Sequence, residues 1–243
     1  IVIAAGGSRE VLSLTLLLQR FGYTVSSAHT AAEAFQRISS VRPALIIADA
    51  GLDGMGVMAF LRKLGQKTVT ASIPVMFMIF PGDAAMERKC IDYGAAGCIS
   101  KPVQVEELFQ AVQAAIEPKP RTNIRIDTHL SVTVNNVPLT CPEGDGVCAV
   151  HLSAQGMYVP LATPYPRDRR LSLQIQIKDR AISAEGSVLY SHIAGTGSCQ
   201  ESGVGLKFTK MALQDREFIK KFIRDEVTRD ITAALSHASS DAR

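Results

Sequence analysis

Two arginines four residues apart, Arg121 and Arg125, stand before a short loop, His151-Leu-Ser-Ala-Gln-Gly156. A guanidinium is planar and always charged. It forks onto a phosphate or onto guanine O6/N7 and stacks its face on a base. Ser153 adds a hydroxyl that donates or accepts, and Gly156 lets backbone approach closely or take a positive φ. His151 offers one acceptor when neutral and none when protonated. Singly, these are solvated linker charges and an ordinary turn. Together, and in this order, they are compatible with a small anionic ligand.

Chemistry of the bond-breaking kind has little support. His29, His129, His151, His192 and His237 are scattered, with no carboxylate or thiol at catalytic spacing, so no catalytic residue is assigned and the chain is not read as an enzyme. The five cysteines, Cys90, Cys98, Cys141, Cys148 and Cys199, include no Cys-x-x-Cys pair and form no metal-ligand cluster. They read as free core thiols of a cytoplasmic protein without a metal or cofactor. The net charge of +3 is too small for a DNA-binding stripe, and the first 117 residues are electroneutral. No run of 18 apolar residues is present, so no membrane span is expected. The apolar start, Ile1-Val-Ile-Ala-Ala5, is too short for a signal peptide, and the missing initiator Met points to residues before it.

Short apolar runs alternate with helical patterns through residues 1–117. Strands are expected at Ile1–Ala5, Tyr23–Ala28, Ala44–Ala48, Ile73–Phe80 and Gly97–Ser100. Helices are expected at Ser8–Arg20, Thr30–Ser39 and Val105–Ile116, among five in all. This alternation predicts an α/β doubly wound five-stranded parallel sheet, with functional residues at the carboxyl ends of its strands. Asp49 ends the third strand, Lys101-Pro102 follows the fifth, and Tyr93-Gly94-Ala95 lies between a helix and a strand. In these features residues 1–117 resemble a response-regulator receiver domain of the CheY-like kind. The resemblance implies that Asp49 is the phosphoacceptor position and Lys101 the phosphoryl-contacting one.

Phosphoryl transfer to a carboxylate needs Mg²⁺ held by oxygen ligands. The place of the family's acidic pair reads Ala5-Gly6-Gly7-Ser8, and Ile79 stands where a Thr or Ser is expected. Asp49 and Lys101 are therefore expected to be a vestigial site in a degenerate, phosphorylation-incompetent receiver used for docking or dimerisation. Gly6-Gly7 matches no phosphate-loop pattern and reads as a plain turn.

Glu117-Pro-Lys-Pro120 ends the last helix and forces an extended connection. Strand signals follow at 130–134, 147–152, 171–177, 181–190 and 203–208, predicting an antiparallel β-barrel with a C-terminal helix. R-x-x-x-R, then x-x-S-x-x-G, then Gly203-Val-Gly-Leu-Lys-Phe208 together resemble a PilZ domain over roughly residues 119–225. The resemblance implies cyclic di-GMP as ligand, bound by Arg121, Arg125, His151, Ser153 and Gly156. The family carries Asp or Asn where this chain has His151. Losing a bidentate base contact costs about 1–3 kcal/mol, or roughly ten- to a hundredfold in affinity. The cluster Arg167, Arg169 and Arg170 reads as a solvated turn.

The final helix, from Leu213, repeats apolar residues at Phe218, Ile219, Phe222, Ile223, Val227 and Ile231. Past Arg224 this stripe is expected to be exposed in a monomer and to make a homo-oligomer contact; the alternative is a frayed helix packing back on its own receiver domain. The expected domains are 1–117 (receiver), 118–128 (a linker carrying R-x-x-x-R), 129–236 (barrel and helix) and 237–243 (a disordered tail). The expected function is a bacterial cyclic di-GMP effector or adaptor, acting on an unidentified protein partner in motility or biofilm control. The alternative is a ligand-blind adaptor working through protein–protein contacts alone.

Overall fold

The computed structural model describes residues 1–139, 148–161, 163, 165–193 and 202–237. The chain divides into two units: Ile1–Thr122 with Val227–Arg243, and Asn123–Glu226.

In the first unit the elements run β1 (Val2–Ala4), α1 (Ser8–Arg20), β2 (Ser26–Ala28), α2 (Ala31–Val41), β3 (Ile46–Asp49), a 3₁₀ turn (Leu52–Gly54), α3 (Val57–Gly65), α4 (Thr68–Ala71), β4 (Val75–Ile79), α5 (Ala84–Asp92), β5 (Gly97–Ser100) and α6 (Val105–Ile116). The five strands form one parallel sheet in the order β2-β1-β3-β4-β5. All five residues of β4 are buried, as are Val2, Ile3 and Ala4 of β1. Such strands are covered on both faces, so their sequences are unbroken apolar runs rather than alternations. The expected doubly wound sheet is present. The second strand is shorter than expected, and the four-residue α4 was not anticipated.

Local capping fixes where helices start. The Thr30 hydroxyl accepts from the Glu33 N–H at 3.2 Å, and the Asp83 carboxylate accepts from the Met86 N–H at 2.9 Å. Each satisfies a backbone donor that the first helical turn leaves open.

The second unit contains β6 (Arg125–Val134), β7 (Val137–Pro138), β8 (Cys148–Ser153), β9 (Gly156–Pro160), β10 (Arg170–Ile177), β11 (Arg180–His192), β12 (Gly203–Met211) and the start of α7 (Leu213–His237). Six strands pair antiparallel around a ring, β10-β11-β12-β9-β8-β6, and β10–β6 pairing closes it. β7 is a short extension hairpinned to β6 through Asn135-Asn136, both with positive φ, as a two-residue primed turn requires. In β10, Leu171, Leu173, Ile175 and Ile177 are buried and the residues between them exposed, the period-2 pattern of a strand with one wet face. Ile219, Phe222 and Ile223 of α7 are buried, and Arg180 of β11 pairs with Asp215 in its first turn at 2.6 Å.

Three expectations need correction. β6 begins at Arg125, so Arg125 lies on the first barrel strand rather than in a linker reaching residue 128. Val227 and Ile231 are only 4% and 6% exposed within the single chain, so α7 does not present them as a bare stripe. Cys148 is disulfide-bonded, whereas Cys90 and Cys98 are free thiols. Pairing through space leaves no trace in cysteine spacing. Cys141, Cys199 and the tail from residue 238 lie outside the described residues.

Candidate functional site

Antiparallel register builds the barrel part of the site. Arg125 is exposed at the first position of β6 and stands opposite Ser153 at the end of β8; Ser153 in turn stands opposite Gly156 at the start of β9. Residues in register across strands share one face. Arg125, Ser153 and Gly156 are therefore one row across three strands, with His151 one step along the same face. The structure brings these four together.

Ser153 and Gly156 close the hairpin. Ser153 is 8% exposed, and its hydroxyl donates to the Gly156 carbonyl at 2.9 Å. The Phe208 N–H donates to the Gln155 carbonyl at 2.8 Å, fastening this turn to β12. Gly156 is glycine because of its neighbour: a Cβ there would lie 2.0 Å from the Leu206 carbonyl oxygen. Of the two roles expected for this glycine, close backbone approach is the one observed. Its φ lies outside the positive range.

His151 stands opposite Asp127 of β6, and its Nδ1 is hydrogen-bonded to Asp127 Oδ1. The side chains are 56% and 86% exposed, so water screens the pair and it adds little to stability. Asp127 was not among the expected site residues. Its signal was its position two residues after Arg125, on the same strand face.

Aromatic rings continue the row. His151 lies 5.6 Å from Tyr158, Tyr158 lies 6.5 Å from Tyr190 with ring planes 21° apart, and Tyr190 meets His192 edge-on at 5.2 Å. Gly205 of β12 is in register with both Tyr158 and Tyr190. A Cβ on Gly205 would sit 2.3 Å from Tyr190 Cζ, and one on Gly203 would sit 2.4 Å from the Tyr158 hydroxyl oxygen. The glycines of Gly203-Val-Gly205 thus leave room for rings lying over β12. Sequence reasoning missed these aromatics; the clue was two glycines spaced for one face of a strand.

Arg121 belongs to the first unit and is exposed at its end. Its backbone N–H donates to Gln113 Oε1 at 2.9 Å, and Gln113 Nε2 donates to the Tyr23 hydroxyl at 2.7 Å. Burial raises the Tyr23 phenol pKa, partly countered by the Gln113 bond and reinforced by the neighbouring Glu117 carboxylate. Arg121 and Arg125 are therefore anchored by different elements, α6 and β6.

The receiver pocket lies at the strand ends of the parallel sheet, as that fold requires. Lys101, just past β5, places its ammonium 2.5 Å from Asp49 Oδ2 and 3.1 Å from Glu10 Oε2. Burial pulls the lysine pKa down, but the hydrogen bonds it donates to Asp49 and then Glu10 outweigh it, and the net shift is upward. Glu10 is a second carboxylate at this site that the sequence reading did not include. It comes from the first turn of α1, not from the loop before it.

Mg²⁺ does not fit this arrangement well. Asp49 Oδ2 and Glu10 Oε2 accept from one ammonium, Asp49 Oδ1 accepts from the Gly51 N–H at 3.0 Å, and Asp53 accepts from the Ala31 N–H at 2.6 Å. Among the described residues no group of three His, Cys, Asp or Glu could hold a metal ion. Ile79, at the end of β4, is buried and carries no hydroxyl.

Comparisons with known proteins fall on both units. The chain is 31% identical over 111 residues to the C4-dicarboxylate transport transcriptional regulatory protein DctD of Rhizobium meliloti, covering 46% of this chain and 23% of that protein. It is 33% identical over 119 residues to the response regulator MprA of Mycobacterium ulcerans, covering 47% of each. It therefore spans half or less of the length of these curated relatives. A solved receiver domain protein from Clostridium thermocellum aligns at 21% identity and TM-score 0.44, covering 47% of this chain and 91% of that one. The inhibitor of motility from Bacillus subtilis aligns at 20% identity and TM-score 0.38, covering 45% of this chain and 52% of that one. Residues 8–113 match the response regulator receiver domain family and residues 119–225 the PilZ domain family. The chain is a receiver domain followed by a PilZ domain.

Proposed function

We propose that this chain is a bacterial effector that binds cyclic di-GMP on the outer face of its barrel. The observation that carries this reading is the register row Arg125–Ser153–Gly156, flanked by His151 and the Tyr158–Tyr190 rings. The ligand presents two phosphates and two guanines. A guanidinium at the head of the row supplies a fork for phosphate or guanine O6/N7, and aromatic faces beside it suit base stacking, worth about 1–3 kcal/mol per base. By family resemblance Arg121 also contributes to ligand binding. The receiver acts as a docking module without phosphorylation, because Ala5-Gly6-Gly7-Ser8 supplies no acidic pair to hold Mg²⁺ and Ile79 carries no hydroxyl. By family resemblance the output is motility or surface attachment, through a protein partner.

The alternative is a ligand-blind adaptor, favoured by one observation: the Ser153 hydroxyl and His151 Nδ1 are already bonded within the protein. Calorimetric titration with cyclic di-GMP separates the two. Arg121→Ala and Arg125→Ala should each weaken binding about ten- to a hundredfold. A parent protein that takes up no ligand at millimolar concentration leaves the adaptor reading.

A further inference from the structure

The face that carries Arg125 also carries a carboxylate with capacity to spare. Asp127 follows Arg125 by two residues on β6, which sets the two side chains on one face about 7 Å apart. Its Oδ1 meets His151 Nδ1, and among the described residues Oδ2 takes no hydrogen bond. An ionised carboxylate only accepts, so the imidazole is the donor and serves to hold the acid in place.

We infer that Asp127 reads the guanine base in this barrel, with His151 as its positioning residue. The inference rests on the proposed ligand and says which group selects the base. The Watson–Crick edge of guanine presents two donors side by side, N1–H and the N2 amino group. Two carboxylate oxygens match that edge, whereas an imidazole offers at most one acceptor. The O6/N7 edge of the same base calls for a guanidinium fork. An arginine and an aspartate adjacent on one strand face can bracket a single guanine from both edges. Direct opposition of Asp127 and His151 across β6 and β8 puts the acid one strand over from His151, on the same outer face.

The test is calorimetric titration of the parent, Asp127→Asn and Arg125→Ala with cyclic di-GMP and with its inosine analogue, which lacks the N2 amino group. A thermal melt of each variant checks folding; Asp127 is 86% exposed, so the substitution leaves the barrel intact. Asp127→Asn is expected to weaken cyclic di-GMP binding about ten- to a hundredfold and to erase the preference for the guanine form over the inosine form. Arg125→Ala is expected to weaken both ligands and keep the preference. Unchanged affinity in Asp127→Asn overturns the assignment while leaving the proposed ligand standing. So does an equal loss for both ligands, which would make Asp127 a charge effect only. Absence of binding by the parent removes both the ligand and the assignment.

Discussion

Gly156 and Gly205 are both held to glycine by a neighbour, but the neighbours differ in how far they can give. A methyl group at Gly156 meets the Leu206 carbonyl at 2.0 Å, which is backbone in a paired strand; at Gly205 it meets the Tyr190 ring at 2.3 Å, a side chain that is 42% exposed. Gly156→Ala should therefore cost about 3 kcal/mol or more and Gly205→Ala about 1 kcal/mol, the upper and lower ends of overpacking. Urea unfolding measures both, and equal losses would contradict the distinction. The sequence suggested that His151→Asp would restore the family's acid. With Asp127 directly opposite, that variant sets two carboxylates against each other, and like charges in register repel. No gain in cyclic di-GMP affinity is expected, and a tighter His151→Asp variant would show that the pair is not positioned as described.

Secondary-structure elements decide the receiver's chemistry. β3 delivers Asp49, the loop after β5 delivers Lys101, and α1 swings Glu10 onto the same ammonium. Incubation with acetyl phosphate and Mg²⁺ should leave Asp49 unlabelled by mass spectrometry, and stoichiometric labelling would defeat the pseudo-receiver reading. Another consequence concerns alkaline pH. Burial, then the adjacent Cys90, push the Cys98 thiol up from an ordinary 9.0 to about 12. A raised acid stays protonated in the folded state after the unfolded chain has lost its proton. Its contribution is complete below pH 9.0 and is lost as pH rises towards about 12. Unfolding free energies measured at successive pH values should fall across that window, and Cys98→Ala should flatten the fall. A wild-type slope in the variant would assign the loss to Cys90, Lys101 and Tyr23, whose raised pKa values act in the same direction.

For the molecule as a whole, a ligand that binds the native state alone stabilises it by mass action. Cyclic di-GMP at a hundred times its Kd should add about 2.7 kcal/mol, visible as an upward shift of the barrel's melting transition that is absent in Arg125→Ala. The apolar residues of α7 bear on assembly. Val227 and Ile231 are already covered within one chain, so they need no second copy. Light scattering at micromolar concentration should give the mass of a single chain, 26.1 kDa. A dimer mass would point to an interface on α7 or on the receiver. Among the described residues no helix is long and apolar enough to cross a membrane.

Read alone, the sequence determined both folds and half of the candidate site. Buried parallel strands announce themselves as apolar runs, half-buried barrel strands as alternation, and R-x-x-x-R with S-x-x-G as a local order of residue types. These signals survive in sequence because they come from neighbours along the chain. Tertiary structure alone decided the rest. Asp127 acquires meaning only when β6 pairs with β8 in a register that sets it against His151. Glu10 does so only when α1 packs beside the sheet and meets Lys101, 91 residues away. Gly203 and Gly205 are explained only by rings from other strands. Each contact depends on strand register or helix packing, which the cooperative fold fixes and no local spacing encodes.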